Sequence, residues 1–175
     1  MDHIYYPDMT DAYWNIELQT ILAYCSGKGI DIGSGGRTPL KDQIKVDVDP
    51  KKNPDILASG EAIPVKDSKF DYLTAIHNFE HYEDQDAVLK EWVRIVKNKG
   101  YILIIHPNLD YTKIQLPPEL NESLKNDPYN KHFHERNLVD FTKWIKSKQR
   151  SGFEFLESGD ALRKWSFYCI LRVKK

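Results

Sequence analysis

The chain has 175 residues, 41% hydrophobic and 29% charged, with a formal net charge of −1; this suits one globular domain that buries roughly 70% of its unfolded surface. No apolar run approaches the ~18 residues of a membrane helix, and the acidic, aromatic opening Met1 to Trp14 lacks the basic and apolar regions of a secretory leader. Cys25 and Cys169 are too few and too far apart for a disulfide framework or a metal knuckle, so the composition points to a reduced, cytoplasmic protein.

Met9 to Tyr24 reads as an N-terminal helix occupying residues 9–25, with Thr10 or Asp11 at its cap and Tyr13, Ile16, Ile21 and Tyr24 near one face. Gly27 and Gly29 end it. An apolar strand, Gly29–Ile32, then runs straight into the turn Gly33-Ser34-Gly35-Gly36. Ile44–Val48 is a second strand, ending in Asp47 and Asp49, and Pro54–Leu57 is a third. Phe70–Ile76 has the length and near-continuous apolarity of a buried parallel strand. Asp84 or Asp86 caps a helix whose core face is Val88, Leu89, Trp92, Val93 and Val96, and Asn98-Lys99-Gly100 stops it. Tyr101–Ile105 is the next strand, closed by Pro107. Residues 107–130 hold four prolines and are expected to form a long irregular lid over a substrate site. Leu138, Phe141 and Ile145 mark a further helix closed by Gly152, and Phe153–Glu157 and Ser166–Val173 are two closing strands. Residues 131–175 carry eleven Lys or Arg against five Asp or Glu; such an end either attracts an anionic partner or is the solvated face of a helix.

Strands alternating with helices, then two strands with a short link, predict a single α/β domain over residues 1–175, mostly parallel with an antiparallel C-terminal strand. Only five residues separate Asp49 from Asp55, and the link from Gly36 to Ile44 is also short. The helices after strands one and two are therefore reduced. One sheet face is left sparsely covered, to be closed by the N-terminal helix, the lid or a second subunit, which makes a homodimer or heteromer through that face an expectation.

The segment Asp31-Ile32-Gly33-Ser34-Gly35-Gly36 is a nucleotide-binding turn in outline, because glycine there lets the chain bend sharply and lets a ligand approach the backbone. A dinucleotide fingerprint wants a third glycine where Thr38 stands, and a full helix to face a pyrophosphate. No Gly-Lys-Ser/Thr follows, which excludes a Walker loop. The turn favours an adenosyl ligand without phosphates. Asp47, at the end of the second strand, can accept both ribose hydroxyls, with Val48 after it as an apolar wall for the adenine.

The stretch from Ala58-Ser59-Gly60-Glu61-Ala62-Ile63-Pro64 to Phe70-Asp71, then Ala75-Ile76-His77-Asn78-Phe79-Glu80-His81, then Glu91 to Ile105, resembles the type 11 group of class I S-adenosylmethionine-dependent methyltransferases. With the glycine turn, the resemblance runs in unbroken order over about residues 27–108. It implies a Rossmann-like sheet, S-adenosyl-L-methionine as cofactor, and cofactor contacts from Asp31, Gly33, Ser34, Gly35, Asp47, Val48, Gly60, Glu61 and His77. Two departures stand out: Ser59 occupies a place where the family often has Asp, and the family's helix between strands two and three is missing.

Methyl transfer asks mainly for alignment, and a hydroxyl acceptor also needs a base. His77 and His81 at the fourth-strand exit and His106 at the end of the fifth strand are the catalytic candidates, with His132 and His134 further along. His77-Asn78-Phe79-Glu80-His81 also spells the inverted zinc-protease pattern, but that motif needs a helix and this one leaves a strand, so no metal is expected. No Asn/Asp-Pro-Pro-aromatic motif follows the fourth strand, which argues against an amino group on a nucleobase as acceptor. Three readings stay open: a methyltransferase acting on an oxygen of a small molecule, an RNA methyltransferase using the basic C-terminal region, and a non-catalytic binding subunit.

Overall fold

A computed structural model of the chain describes residues 22–36, 38–110, 131–161 and 164–175. The expected N-terminal helix, apart from a 3-10 turn at Leu22–Tyr24, and residues 111–130 of the expected lid lie outside them. Seven strands build one sheet: β1 Gly29–Ile32, β2 Ile44–Asp47, β3 Ile56–Leu57, β4 Phe70–Ile76, β5 Val96–Pro107, β6 Phe153–Ala161 and β7 Ser166–Val173. Their order is β3-β2-β1-β4-β5-β7-β6, and β7 alone runs antiparallel to its neighbours β5 and β6. This is the mostly parallel, Rossmann-like sheet anticipated, with strand order reversing between β1 and β4. The crevice beyond the carboxyl ends of those strands is where ligands settle in open sheets of this kind.

Among the described residues, two α-helices cover one face. α1, Gln85–Ile95, starts where Asp84 accepts a hydrogen bond from the Ala87 amide, and it buries Val88, Leu89, Trp92 and Val93. α2, Leu138–Ser147, is capped by Asn137 on the Asp140 amide and buries Phe141 and Ile145. They meet Ile30, Ile32, Leu73, Ala75, Ile102, Ile104 and alternate residues of β7, from Phe167 to Val173, in the main core. The other face carries a smaller cluster of Leu22, Leu103, Ile105, Ala161 and Ile170, flanked by Tyr24, Leu40, Tyr101 and Trp165. No α-helix joins β1 to β2 or β2 to β3 among the described residues; a 3-10 turn, Pro50–Lys52, capped by Asp49, stands in the second link. The face opposite the helices is thus covered, among described residues, by the 22–25 segment, Leu40, Gln43 and Trp165 rather than by an α-helix.

Some boundaries differ from the sequence reading. Asn98-Lys99-Gly100 does not stop α1: the helix ends at Ile95 and passes directly into β5, whose Val96 pairs with Phe70. Residues 97–100 bulge out before pairing resumes at Tyr101 opposite Tyr72. Gly100 sits where a Cβ would lie 2.5 Å from the Asp71 carbonyl, and Asp71 itself holds the Lys28 amide (2.8 Å) and Lys97 Nζ (2.7 Å). β2 stops at Asp47 rather than Val48, and β6 extends to Ala161 through a bulge between Phe155 and Glu157.

Candidate functional site

The glycine turn leaves β1 at the crevice. Gly33, Gly35 and Gly36 all adopt positive φ (68°, 57° and 89°), a region that L side chains avoid. The Gly33 and Ser34 amides both donate to the Val46 carbonyl (2.9 and 3.1 Å), tying the turn to β2. A Cβ at Gly33 would collide with Asn78, whereas one at Gly35 would meet nothing within 4 Å. The turn is therefore closed behind and open in front.

Asp47 ends β2 with its carboxylate against this turn. Oδ2 accepts from the Gly35 amide (2.8 Å) and Oδ1 from the Asp49 amide (3.0 Å). The residue is only 9% exposed, and the two bonds leave further lone pairs on both oxygens. Val48 beside it is 44% exposed, unusual for a large apolar side chain in so well packed a region. Asp49 lies beyond the strand and caps the 3-10 turn through the Lys51 amide (2.9 Å), which separates the two aspartates by role.

Asp31 is buried on the sparsely covered face. Its Oδ1 accepts from Thr74 Oγ1 (2.5 Å), which in turn accepts from Gln43 Nε2 (2.8 Å), and Gln43 Oε1 takes the Leu40 amide (2.8 Å). Burial pushes the Asp31 carboxyl up to about 8; the Thr74 hydrogen bond opposes this, and nearby Asp47 adds to it. Neither Thr74 nor Gln43 figures in the sequence reading. The one signal was a hydroxyl at the centre of the apolar run Phe70–Ile76, directly opposite Asp31 in the sheet.

The loop before β4 is braced from α1. Gly60 is buried, and its carbonyl accepts from Trp92 Nε1 (3.1 Å). A Cβ there would collide with the Tyr82 hydroxyl and lie 2.8 Å from Ile32 Cγ2. Glu61 is exposed and its Oε2 accepts from Ser59 Oγ (3.2 Å). Tyr82 in turn donates to Asn78 Oδ1 (2.8 Å), so Asn78 and Tyr82, both outside the sequence reading, link the glycine turn, the 59–62 loop and the β4 exit.

The histidines separate clearly. His77, with φ 48°, donates its amide to the Ile105 carbonyl and sets Nε2 2.7 Å from Ser166 Oγ on β7. Burial lowers its pKa to about 4, with His132 and His81 nearby adding to the effect. His106, the third candidate, lies in a different setting. It is fully buried, stacked on Phe167 and packed by Phe141, with Nδ1 against the Pro107 carbonyl (2.8 Å), and desolvation lowers its pKa to about 3. Its ring is part of the core rather than of an open acceptor site. His81 stands at the rim, half-buried, with Nδ1 3.2 Å from the Lys131 carbonyl and Nε2 3.8 Å from Glu80 Oε1. The five residues leave the strand through a 3-10 turn, Phe79–His81, so His77 and His81 do not converge on one centre as the inverted zinc pattern requires. Glu80 is 1% exposed, and burial raises its carboxyl to about 8.

Several of the basic C-terminal residues have local partners. Lys148 bonds Asp86 (2.5 Å), Lys174 and Arg172 both meet Glu154, and Lys175 reaches Ser68 and the Arg94 carbonyl. No helix among the described residues is long and apolar enough to cross a membrane.

Residues 28–104 match the family described as a methyltransferase domain. The chain is also 28% identical over 109 residues to an uncharacterised protein from Methanocaldococcus jannaschii, covering 55% of this chain and 53% of that one, so the match spans about half of that relative. Among solved structures, the fold is similar to an S-adenosylmethionine-dependent methyltransferase from Thermotoga maritima (TM-score 0.63, 21% identity, 93% of this chain and 90% of that one). It is also similar to a structure of the Haloferax volcanii Trm112 methyltransferase activator complex (TM-score 0.71, 11% identity, 95% and 92%).

Proposed function

We propose that this chain, whose residues 28–104 match the methyltransferase-domain family, is an active class I, S-adenosylmethionine-dependent methyltransferase of the type 11 group that moves a methyl group to an oxygen of a small hydroxylated acceptor. The observation that carries the cofactor half of this reading is Asp47: a carboxylate oriented by two backbone amides, with lone pairs left over, beside an open glycine turn. It fits a ribose diol. Val48 would lie against the adenine, the Gly33–Gly35 backbone and Asp31 would face the amino acid end, and the Ser59–Glu61 loop would close the adenine side. No bound phosphate is called for, in keeping with the lack of an α-helix between β1 and β2 among the described residues. Bound S-adenosylmethionine supplies a sulfonium methyl carbon, and the sulfur keeps the C–S electron pair as the new bond forms.

The chain's own task is to hold that carbon in line with the acceptor and to help remove the acceptor's proton. Of the histidines at the strand exits, His81 is the one at the rim. A carbonyl can only accept, so Nδ1 carries the hydrogen toward Lys131 and Nε2 keeps its lone pair. His77 and His106 are held neutral by burial and engaged by Ser166 and by core packing. The RNA reading draws on the basic end, and the local ion pairs of Lys148, Arg172 and Lys174 weigh against it. Labelled S-adenosylmethionine offered with pooled hydroxylated small molecules, or with RNA, separates the readings. The reading predicts label in the small-molecule pool that is insensitive to moderate salt. Label only in RNA, lost steeply with salt, or no label in either pool, would contradict it.

A further inference from the structure

Residues 131–136 are fastened across the β4 exit by a set of short contacts. The Phe133 and His134 amides both donate to the Glu80 carbonyl (3.0 and 3.4 Å). His134 Nε2 lies 2.9 Å from the Glu83 carbonyl, and Arg136 Nη1 donates to Gln85 Oε1 (2.6 Å). This clamp sets His132 against His81, with ring centroids 4.8 Å apart in a T-shaped arrangement. One ligand atom from each of Glu80, His81 and His132 then lies within 4.8 Å of the others.

We propose that Glu80, His81 and His132 form a binding site for one divalent transition cation at the acceptor side of the crevice. Two independent features support it. The first is Glu80: a carboxylate 1% exposed whose Oε2 has no hydrogen-bond partner among the described residues. Burying such a group uncompensated is costly, and a bound ion is one of the few ways to compensate it. The second is His81. Its Nδ1 hydrogen points to the Lys131 carbonyl, the tautomer that makes Nε2, 3.8 Å from Glu80 Oε1, the ligating nitrogen. Two atoms each about 2.1 Å from a shared ion lie roughly 3.0–3.4 Å apart, so closure of roughly 0.4–0.8 Å is needed between His81 and Glu80 and of up to about 1.4–1.8 Å across the trio. A ligating imidazole whose other nitrogen donates to a backbone carbonyl is the usual outer-shell arrangement. This is a different trio from the H-x-x-E-H spelling, since His77 is directed to Ser166.

Two imidazoles and one carboxylate suit zinc or manganese and leave at least one coordination position open. In catalysis, a role that rests on the methyltransferase reading above, an acceptor hydroxyl at that position would release its proton to solvent more readily. His81 would then act as ligand instead of base. Occupancy itself needs no cofactor, so the test omits it. The full chain, untagged and stripped with EDTA, is titrated with Zn²⁺ by calorimetry and with Mn²⁺ by electron paramagnetic resonance. One saturable site is expected, weakened at least tenfold in Glu80→Gln and in His132→Ala. His132 is exposed, so its replacement leaves the fold intact, which the circular dichroism spectrum checks. Failure of the folded chain to bind either ion, or binding indifferent to His132→Ala, would overturn the site whatever the result with S-adenosylmethionine.

Discussion

Asp31 makes stability depend on pH in a direction that can be worked out. Its carboxyl sits at about 8 in the folded chain, against about 3.9 for an exposed aspartate. Between those values the folded state holds a proton that the unfolded state has released. The unfolded state therefore binds fewer protons, and stability must fall as pH rises from about 4 to about 8, then level off. At 1.36 kcal/mol per unit, the full span is on the order of 5 kcal/mol. Asp31→Asn keeps an oxygen for the Thr74 hydroxyl and cannot ionise. Other buried groups contribute to the wild-type profile: Glu80 with the same sign, and His77 and His106 with the opposite sign below about 6.5, because their folded values are depressed. They are common to both proteins and cancel in the difference. Urea unfolding of wild type and Asp31→Asn from pH 5 to 8.5 should show the variant gaining several kcal/mol relative to wild type across that range. A difference that stays flat with pH would refute the assignment of a buried, neutral Asp31.

Three further outcomes are expected. Thr74→Val removes the hydroxyl joining Asp31 to Gln43 and should cost about 1–3 kcal/mol, read from the shift of the urea midpoint at constant m-value. Trp92→Phe deletes the hydrogen bond to the Gly60 carbonyl; S-adenosylmethionine affinity should drop several-fold as the 59–62 loop loosens, while the far-ultraviolet circular dichroism spectrum stays unchanged. Gly35→Ala places a methyl group in the open front of the turn at φ 57°. It should cost about 1 kcal/mol of stability and at least tenfold in cofactor affinity, both measurable by thermal shift with and without ligand.

Much of this fold could be read from sequence because its strands are apolar runs ended by glycine, aspartate or proline. β1, β4 and β7 lie where the pattern put them. The start of β5 did not, because a helix ending on Val96 and a strand beginning there share one apolar residue, and the polar bulge 97–100 looks like a stop. Within the candidate site, the turn carrying Gly33 and Gly35 and the strand end at Asp47 could be placed from sequence because turn and strand-end chemistry is local. The Asp31–Thr74–Gln43 chain and the Glu80–His81–His132 group could not, since each joins residues 31 or more positions apart, and only strand order and the 131–136 clamp bring them together. The position of His106 near the end of β5 could be read from sequence, but its packing between Phe141 and Phe167 could not, because those contacts are tertiary.

The central claim is that the turn and Asp47 hold S-adenosylmethionine. Calorimetric titration of the purified chain with that cofactor, alongside Asp47→Ala and with NAD as a control ligand, tests it most directly. The account predicts saturable one-to-one binding that Asp47→Ala abolishes, and no binding of NAD. A folded wild-type chain that leaves S-adenosylmethionine unbound, or an Asp47→Ala variant that binds it as tightly as wild type, would contradict it.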